Sequence, residues 1–551
     1  MTNNNNVTDQ AANDFDAIVV GAGFAGLYML HLLRDKLGLH ATAIEAGDGV
    51  GGTWYWNRYP GARCDIPSMD YSYSFSDELQ QEWEWSEKYA SQPEILAYLE
   101  FVANKFDLSK DIRFSTRVTR ADYDEAESRW HVSTDNGKVL TARFLISGVG
   151  ALSTAAAPDI KGIDRFEGTS IFTSSWPREG IDFAGKRVGI IGTGATAVQV
   201  IPIVAEKAAH LTVFQRTPPF AAPLHNRPLG HEEQNEIKAR YKQVREDSWN
   251  AFAGVPFYHV RPSATADTAE QRREHYENRW DEGGFSLWLG SYEDLLMDKA
   301  ANDTAGAFVR AKIREQVKDP TVAEKLVPAP ELNYGTKRQP CETGYYETYN
   351  RDNVTLVDLK ADPIREVTPA GVRTNSEEHE LDVIIYATGF DAFTGSLYKM
   401  NIHGREGKRL QDHWSAGPRT HLGLMTAGFP NFFTVTGPLS PSVLFNMPLS
   451  IEQHCEWIAG CIGHLREQHL DTIETTRESE DKWITHVKEV ADATLLPSAE
   501  SWYLGANIKG KPRVFMVYLG GGKRYKEICE DVVTSGYEGF RLTATSPTRV
   551  L

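Results

Sequence analysis

Two glycine-rich loops, each placed between a predicted strand and a predicted helix, constrain the fold more than any other feature. The first, GAGFAG (21–26), follows the apolar run FDAIVV (15–20) and precedes the helical stripe LYMLHLLRDK. The second, GTGATA (192–197), lies between the strand KRVGII and the helix AVQVIPIVAEKA. A GxGxxG or GxGxxA loop in this setting is typical of a doubly wound α/β unit. We therefore expect two Rossmann-like domains in one α/β chain.

Each glycine of the first loop has a predicted task. Gly21 allows the tight turn after the strand, Gly23 lets a pyrophosphate approach the backbone, and Gly26 lets helix and strand pack closely. The N-terminus of the helix then faces the anion. The next predicted strand ends at Glu45, 19 residues after Gly26, where a carboxylate can bind ribose hydroxyls. This complete setting distinguishes the loop from a coincidental glycine-rich turn.

The second loop differs from the first at the residue that selects the cofactor. Its Gly192, Gly194 and Ala197 occupy the three glycine positions. Counting 24 residues from the first glycine of each loop gives Glu45 in the first unit and Arg216 in the second. A carboxylate repels a 2′-phosphate, whereas an arginine pairs with one. The first unit is therefore predicted to bind FAD (or NAD) and the second NADPH, which points to hydride transfer from NADPH to flavin. The alternative for Arg216 is a solvated cation at a strand end.

The segment GGTWYWNRYPGARCD (51–65) contains more glycine and aromatic residues than an ordinary surface loop. It can wrap an isoalloxazine ring, with Gly52 and Trp54 as cofactor-binding residues and Asp65 orienting a cation beside the ring. Two further segments, FLISGVG (144–150) and DVIIYATGFD (382–391), are predicted as strands that end in small-residue turns. Such segments can return the chain from a nucleotide domain to the flavin domain.

Taken together, these motifs resemble those of the type I Baeyer–Villiger monooxygenases from about residue 15 to about residue 545. The resemblance implies an enzyme that binds FAD and NADPH and inserts one atom of O₂ beside a ketone carbonyl. It also implies an anionic flavin C4a-peroxide, formed after NADPH reduces FAD, and an ester or lactone product. The motifs that carry the resemblance are GAGFAG, GGTWYWNRYPGARCD, FEGTSIFTSSWP, GTGATA, FQRT, YGTKRQP, YATGFD and SWYLGANIKGKPRVF.

The resemblance assigns catalysis to Arg338 and Asp65. Arg338 would be the fixed cation that stabilises the anionic peroxide and the tetrahedral adduct, because arginine stays protonated and presents several donors. Asp65 would orient Arg338 through a carboxylate hydrogen bond. Without the resemblance, the Lys337-Arg338 pair would be interpreted as solvated surface.

Further site residues also follow from the resemblance. Lys337 would join Arg216 at the 2′-phosphate of NADPH, and Thr217 would be a further cofactor-binding residue. Trp502 would help to hold the nicotinamide end, with a core tryptophan as the alternative. The segment 437–447 is similar to the loop that lines the ketone pocket, and its apolar content implies a hydrophobic ketone, cyclic or aliphatic. The pocket residues in that loop would be Leu439, Ser440, Leu444 and Phe445.

One position departs from the family fingerprint, which is FxGxxxHxxxWP or FxGxxxHxxxWD. Phe172 stands at the histidine position, whereas the other fingerprint residues match: Phe166, Gly168, Trp176 and Pro177. By the resemblance, that histidine acts in the linker between the nucleotide domains and not at the bond-forming atoms. The substitution therefore bears on the rate or coordination of domain motion more than on the reaction type.

The composition indicates which classes of binding partner are unfavourable for this chain. Lysine and arginine number 58 against 75 acidic residues, and a net charge of −17 repels nucleic acid and anionic lipid. No apolar run approaches the ~20 residues of a membrane span, and the polar start MTNNNNVTDQAAND does not look like a signal peptide. Five cysteines without a CxxC motif fit reduced thiols in a cytoplasmic protein, and the histidines lack metal-ligand spacing. We expect no nucleic acid, membrane or metal partner, and a monomer or weak oligomer.

The motifs also predict the domain organisation. The FAD domain would comprise residues 15–150 and 385–551, and the NADPH domain residues 151–222 and 335–384, with a mainly helical insertion at 223–334.

Two rival functions remain open. One is a heteroatom monooxygenase acting on amines or sulfides, against which Arg338 and the WP ending of the fingerprint argue. The other is a flavin redox protein without oxygenation, which would need neither an arginine at the flavin nor an apolar substrate pocket.

Overall fold

The computed structural model of the chain describes residues 14–544, and its two large β-sheets each contain the strand that precedes one glycine loop. β-Branched and aromatic residues are frequent in these strands, as expected for buried sheets. In chain order the strands are β1 (Asp14–Val20), β2 (Ala41–Ile44), β3 (Ile112–Arg113), β4 (Val118–Asp124), β5 (Arg129–Thr134), β6 (Val139–Ser147), β7 (Thr169–Phe172), β8 (Arg187–Ile191), β9 (His210–Gln215), β10 (Ala222–Pro223), β11 (Cys341–Glu342), β12 (Val354–Asp358), β13 (Ile364–Thr368), β14 (Gly371–Thr374), β15 (Glu378–Glu380), β16 (Val383–Tyr386), β17 (Ile402–His403), β18 (Phe432–Thr434), β19 (Thr472–Thr475) and β20 (Phe540–Thr543).

Several helices begin at side chains that satisfy the free backbone N–H groups of the first turn. Thr268 and Gln271 form a reciprocal capping box, and the Thr476 side chain accepts from the backbone N–H of Ser479. In chain order the α-helices are α1 (Phe24–His31), α2 (Thr53–Trp56), α3 (Asp77–Glu82), α4 (Gln92–Lys105), α5 (Ala195–Lys207), α6 (His231–Ala239), α7 (Tyr241–Asn250), α8 (Ala269–Glu282), α9 (Ser286–Leu289), α10 (Lys299–Gln316), α11 (Pro320–Leu326), α12 (Tyr345–Thr348), α13 (Gly395–Lys399), α14 (Leu410–His413), α15 (Met447–Glu467), α16 (Arg477–Asp492) and α17 (Gly522–Thr534).

The first sheet has the strand order β17-β4-β5-β6-β1-β2-β3, with β18 paired to β6. Strands β2, β1 and β6 run parallel, so that Val20 pairs with Ile44 on one side and Ser147 on the other. Strands β4, β5 and β6 form an antiparallel meander. The carboxyl ends of the parallel strands therefore meet at one edge, where the first glycine loop begins. This is the edge at which doubly wound sheets bind nucleotides.

The second sheet is parallel throughout, in the order β12-β9-β8-β16-β7. Strand β8 precedes the second glycine loop, and α5 follows the loop. The antiparallel strands β13, β14 and β15 form a separate small sheet just before β16. The expectation of two α/β units with parallel sheets is confirmed, with the refinement that the first sheet also contains the antiparallel meander.

Between β10 and β11 the described chain forms helices α6 to α11 and no named strand, in line with a mainly helical insertion. The C-terminal part returns to the first sheet through β17 and β18 and packs α15 against α1. All five cysteines lie in the described range and are buried and free. Within residues 14–544, none of the helices combines the length and apolar composition that a membrane crossing needs. The predicted polar tail lies almost entirely outside the described residues.

Candidate active site

The backbone of the first glycine loop has the geometry that a tight turn and close packing require. Gly21 has a φ of +104°, and a Cβ there would lie 2.7 Å from the carbonyl oxygen of Gly148. A Cβ on Gly26 would lie only 1.8 Å from the carbonyl oxygen of Gly21. At Gly23 the close neighbour is Gly52, whose Cα would be 3.1 Å from an added Cβ. Gly52 therefore matters through its approach to this loop, which larger residues would prevent.

Glu45 directly follows β2 and lies beside the same loop. Its carboxylate accepts from the backbone N–H of Ala22 at 2.8 Å and from that of Gly47 at 2.7 Å, and the residue is buried. Each carboxylate oxygen retains acceptor capacity beyond these bonds. The contacts fix the carboxylate at the strand edge, while ribose binding by Glu45 remains a prediction.

The segment 51–65 covers the first loop. The N–H of Gly51 donates to the carbonyl of Ala22 at 2.9 Å, and α2 begins directly after Gly52. The Trp54 indole is buried in the core, and its N–H donates to the Tyr71 hydroxyl at 3.3 Å. Trp54 thus packs within the protein interior, so its side chain supports the segment from inside.

The second glycine loop is more open than the first. Gly192 has a φ of +109°, and a Cβ there would lie 2.5 Å from the carbonyl oxygen of Ala387. A Cβ at Gly194 would meet no atom within 4 Å, whereas Ala197 is fully buried. The Thr193 hydroxyl donates to the carbonyl of Thr217 at 3.1 Å and ties the loop to the end of β9. The open backbone at Gly194 fits the approach of a pyrophosphate.

Two cations near this loop form no close ion pair in the described part of the chain, although the charge of Glu500 acts on Lys337. Arg216 is exposed and Lys337 is half-buried, and neither forms an ion pair with a carboxylate in the described part of the chain. Burial lowers the pKa of Lys337, and the neighbouring charge of Arg216 lowers it further. The two residues, far apart in sequence, therefore form a cationic site that a phosphate would neutralise.

Arg338 lies where three other parts of the chain meet. Its Nη2 donates to both oxygens of Asp65, at 2.7 and 2.8 Å, and its Nε donates to Asp65 Oδ2 at 3.3 Å. Its Nη1 donates to the carbonyl of Val443 at 2.9 Å, within the predicted substrate loop. The guanidinium carbon lies 5.0 Å from the centre of the Phe285 ring. Nη1 carries two hydrogens, of which the Val443 carbonyl accepts one, so the other N–H can serve the neighbouring Tyr503 hydroxyl or a ligand.

The Asp65 carboxylate keeps this guanidinium charged. Burial is the largest single effect and would lower the pKa of Arg338, but the charge and hydrogen bond of Asp65, together with Tyr503 and Cys341, outweigh it, and the pKa lies above its ordinary value. Arg338 is therefore a permanent cation and cannot serve as a general acid. Its charge also acts on the Tyr503 phenol, whose pKa is raised by burial.

The structure includes contacts of Arg338 that the motifs did not predict, namely those with Phe285, Val443 and Tyr503. Tyr503 could have been found from its position beside Trp502 in the motif SWYLGANIKGKPRVF. Phe285 follows Gly283-Gly284 in the helical insertion, and that glycine pair was a signal of a tight turn. The Val443 contact uses a backbone carbonyl, which no side-chain motif reveals.

The residues predicted for the substrate loop divide into two groups. Leu439 and Ser440 are fully buried, and the Leu439 carbonyl accepts from the Trp483 indole N–H at 3.1 Å. Leu444 is partly exposed, and Phe445 packs against Trp249 with ring centres 5.5 Å apart. In this conformation Leu444 is the more accessible candidate for substrate contact, while Leu439 and Ser440 shape the loop from behind.

Trp502 and Phe172 both stack on an aromatic ring. Trp502 is partly buried and stacks on Phe393, with ring centres 5.7 Å apart. Phe172 is the last residue of β7, the edge strand of the second sheet, and stacks on Tyr386 of β16 at 4.9 Å. Phe172 therefore lies at the edge of the second sheet, where its ring contributes through packing.

Asp124, Glu127 and His131 lie together on the β4–β5 hairpin, with potential ligand atoms within 4.8 Å of one another. Two of the three are partly exposed and one is exposed, and Asp124 already accepts from the N–H groups of Ala126 and Glu127. The group is far in sequence from both glycine loops, and exposed acidic groups of this kind are common without a metal.

The sequence is similar to those of known monooxygenases along nearly its whole length. A family model described as pyridine nucleotide-disulphide oxidoreductase matches residues 18–249. The chain is 45% identical over 537 residues to the 2-oxo-Delta(3)-4,5,5-trimethylcyclopentenylacetyl-CoA monooxygenase of Pseudomonas putida, covering 96% of this chain and 98% of that protein. It is 45% identical over 532 residues to a Baeyer-Villiger monooxygenase of Pseudooceanicola batsensis, covering 96% of each. It is also 44% identical over 536 residues to phenazine N-monooxygenase PhzNO1 of Lysobacter antibioticus, covering 97% and 98%.

Solved structures are similarly close. A structure described as oxidized steroid monooxygenase bound to NADP superposes with a TM-score of 0.91 at 51% identity, covering 97% of this chain and all of that one. A structure of OTEMO in complex with FAD and NADP has a TM-score of 0.92 at 45% identity, covering 96% and 99%. The likeness therefore spans both sheets and the helical insertion.

Proposed function

The chain belongs to the Baeyer–Villiger monooxygenase family, and on that basis we propose that it converts a ketone to an ester or lactone with NADPH and O₂. The observation that carries the proposal is Arg338, a partly buried cation that Asp65 fixes and that has one N–H beyond its bonds to Asp65 and Val443. A fixed cation is what a reaction with a developing anionic oxygen needs. Product analysis of the purified protein with NADPH, O₂ and a panel of ketones tests it.

We propose that the first glycine loop and Glu45 hold FAD, which, when bound, supplies the redox and oxygen-activating chemistry. The tight turn at Gly21 and the buried Glu45 carboxylate support this assignment. Arg338 then has two tasks: it orients the carbonyl of the ketone through its remaining N–H, and it stabilises negative charge that develops on that oxygen. Asp65 fixes the guanidinium plane and keeps it charged.

The second loop is proposed to bind NADPH. The open backbone at Gly194 would receive the pyrophosphate, and Arg216, Lys337 and Thr217 would surround the 2′-phosphate. Trp502 would cover the nicotinamide end. Two cations without ion-pair partners in the described chain support the 2′-phosphate site more directly than the motif alone does.

For the substrate, we propose a hydrophobic ketone, cyclic or aliphatic. The apolar side chains of Leu444 and Phe445 near the Arg338 contact at Val443 support it. A relative named steroid monooxygenase suggests that bulky cyclic ketones belong in the test panel. Linear, monocyclic and polycyclic ketones should be compared by kcat/KM.

A second candidate function is N-oxygenation, because a relative at 44% identity is named a phenazine N-monooxygenase. The same purified protein should be offered an aromatic N-heterocycle beside the ketones. Preference for the ketone in direct competition supports ester formation, and preference for the heterocycle supports N-oxygenation.

We further propose the domain bounds given above: FAD domain 15–150 and 385–551, NADPH domain 151–222 and 335–384, and insertion 223–334. The positions of the strands of the two large sheets support these bounds.

A cytoplasmic location is supported by five buried, free thiols. A monomer or weak oligomer is proposed for solution, and sedimentation at several concentrations tests it.

A further inference from the structure

The helical insertion contributes one aromatic ring to the Arg338 site. Phe285 lies between α8 and α9 and is buried, at 4% exposure. Its ring centre lies 5.0 Å from the Arg338 guanidinium carbon, within the range of a cation–π contact. The Phe285 and Trp288 rings pack edge to face, with their centres 5.1 Å apart and their planes nearly perpendicular. The contact with Trp288 within the insertion therefore helps to hold the ring in place, in a core that it shares with the second sheet.

The turn before Phe285 is connected to the residue after Arg338. Gly283 and Gly284 have φ values of +76° and +60°, and a Cβ on Gly284 would lie 2.3 Å from the Tyr89 hydroxyl. The Gly284 carbonyl accepts from the side-chain amide of Gln339 at 3.1 Å. The Gly283-Gly284-Phe285 turn thus holds both Arg338 and its neighbour, so a shift of this turn would move the guanidinium.

The contacts of Arg338 leave a defined free side. Asp65 occupies one edge of the guanidinium, Val443 accepts from Nη1, and the guanidinium carbon lies over the Phe285 ring. We propose that Phe285 is a positioning residue, which shields one face of Arg338 from water and directs its remaining N–H to the reaction site. This role rests on the proposed function, because it assumes that Arg338 faces FAD and the ketone.

The ring also strengthens the electrostatic effect of Arg338. An aromatic face attracts a guanidinium without neutralising its charge, unlike a second carboxylate. The cation would therefore stay oriented and poorly hydrated, and its field on a neighbouring flavin would be less screened. Charge near the flavin ring tunes the flavin potential. Loss of the ring should thus affect a property that does not depend on ketone turnover.

The test compares Phe285→Leu with Phe285→Trp, which keeps an aromatic face. Phe285→Leu should shift the midpoint potential of the bound FAD to a more negative value and lower ester formation per NADPH oxidised by about 5- to 30-fold. Phe285→Trp should restore both quantities to near wild-type values. FAD content and the Kd for NADP⁺ should stay unchanged in both variants, since neither binding site contacts the ring in the proposed arrangement.

Phe15→Leu is the matched control, because Phe15 is also buried and lies 5.3 Å from the Arg113 guanidinium, at the start of β1. The proposal is wrong if Phe285→Leu changes the potential and the coupling no more than Phe15→Leu does, or if Phe285→Trp fails to rescue them. If Phe285→Leu loses FAD, Phe285→Met replaces it as the ring-free variant. A wild type that forms no ester from any ketone would overturn the proposed function, whereas the potentials would still test the role of Phe285.

Discussion

Arg338 makes the sharpest prediction at the scale of single residues. Arg338→Ala should retain FAD binding and reduction by NADPH but lose ester formation, because it removes the cation that Asp65 holds at the site. Removing a preorganised donor costs about 2.7–4 kcal/mol, or roughly 100- to 1000-fold in kcat. Rapid reduction kinetics and product yield measure the two effects separately. Arg338→Lys is the control for charge without the two-point contact to Asp65, and ester formation at the wild-type rate in Arg338→Ala would contradict the assignment.

Arg216 should determine the choice between nicotinamide cofactors. Arg216→Ala removes one charge-assisted contact to the 2′-phosphate, worth about 1.5–3 kcal/mol, and should raise the KM for NADPH by roughly 10- to 150-fold. The KM for NADH should barely change, because NADH lacks the phosphate. Steady-state kinetics with both cofactors measure this difference. Equal use of NADPH and NADH by the wild type would exclude the proposed phosphate site.

Lys337 adds a pH dependence to the same site. Burial and the Arg216 charge lower the pKa of Lys337, so it loses its proton at a lower pH than an ordinary lysine. Affinity for NADP⁺ should therefore fall as the pH rises through that lowered pKa, while affinity for NAD⁺ should be nearly constant. Calorimetric titration at several alkaline pH values measures the trend. In Arg216→Ala the fall should move to higher pH, because the lowering effect of the Arg216 charge is gone.

The sequence could predict the residues whose chemistry is carried by a side chain within a motif. Glu45 and Arg216 follow from their spacing after the glycine loops, and the structure puts both at strand ends. The Arg338–Asp65 contact followed from the family resemblance. Phe285 could not be predicted, because its contact depends on how a helical insertion folds back over a residue 53 positions later. No local pattern encodes such a distance.

At the scale of elements, the units next to the glycine loops were the most predictable. The run FDAIVV became β1, and KRVGII became β8, since short buried runs beside glycine loops have few alternatives. Strands β17 and β18 are different: they join the first sheet from more than 250 residues beyond β6 and β4. Their short sequences show little hydrophobic periodicity, so their strand conformation depends on pairing with the distant sheet.

Phe172 gives the prediction for an element, the edge strand β7. A histidine there would replace the ring that stacks on Tyr386 and place a polar imidazole against an apolar surface. Phe172→His should therefore change the rate of NADPH oxidation or the fraction coupled to product, without changing which ester forms. Stopped-flow reduction and product yield measure this, with Phe172→Leu as a control for ring loss alone. Altered regiochemistry with unchanged kinetics would instead place residue 172 in the substrate pocket.

At the scale of the whole molecule, distant parts of the chain converge on the site. Asp65 comes from the first unit, Phe285 from the insertion and Val443 from the C-terminal part. The first unit also contacts the second directly: the Tyr59 hydroxyl donates to Gln199 of α5 at 2.9 Å. The position of Arg338 therefore depends on the packing of all three regions, and sequence motifs specify it only indirectly.

A substitution at Glu452 tests this packing through its effect on thermal stability. Located on α15, it accepts from the backbone N–H groups of Ser74 and Phe75, at 2.6 and 2.9 Å, and so joins segments about 380 residues apart. Burial raises the pKa of Glu452 to about 7, against the weaker opposing effects of Ser74 and Arg245. The folded state then holds this proton more tightly than the unfolded state, so this group's contribution to stability falls as the pH rises from about 4.5 to about 7. In Glu452→Gln that loss is absent, and its Tm relative to wild type should be higher at pH 8 than at pH 5. Thermal unfolding at both pH values measures the difference; an equal or opposite change would show that Glu452 is charged in the folded protein at pH 5.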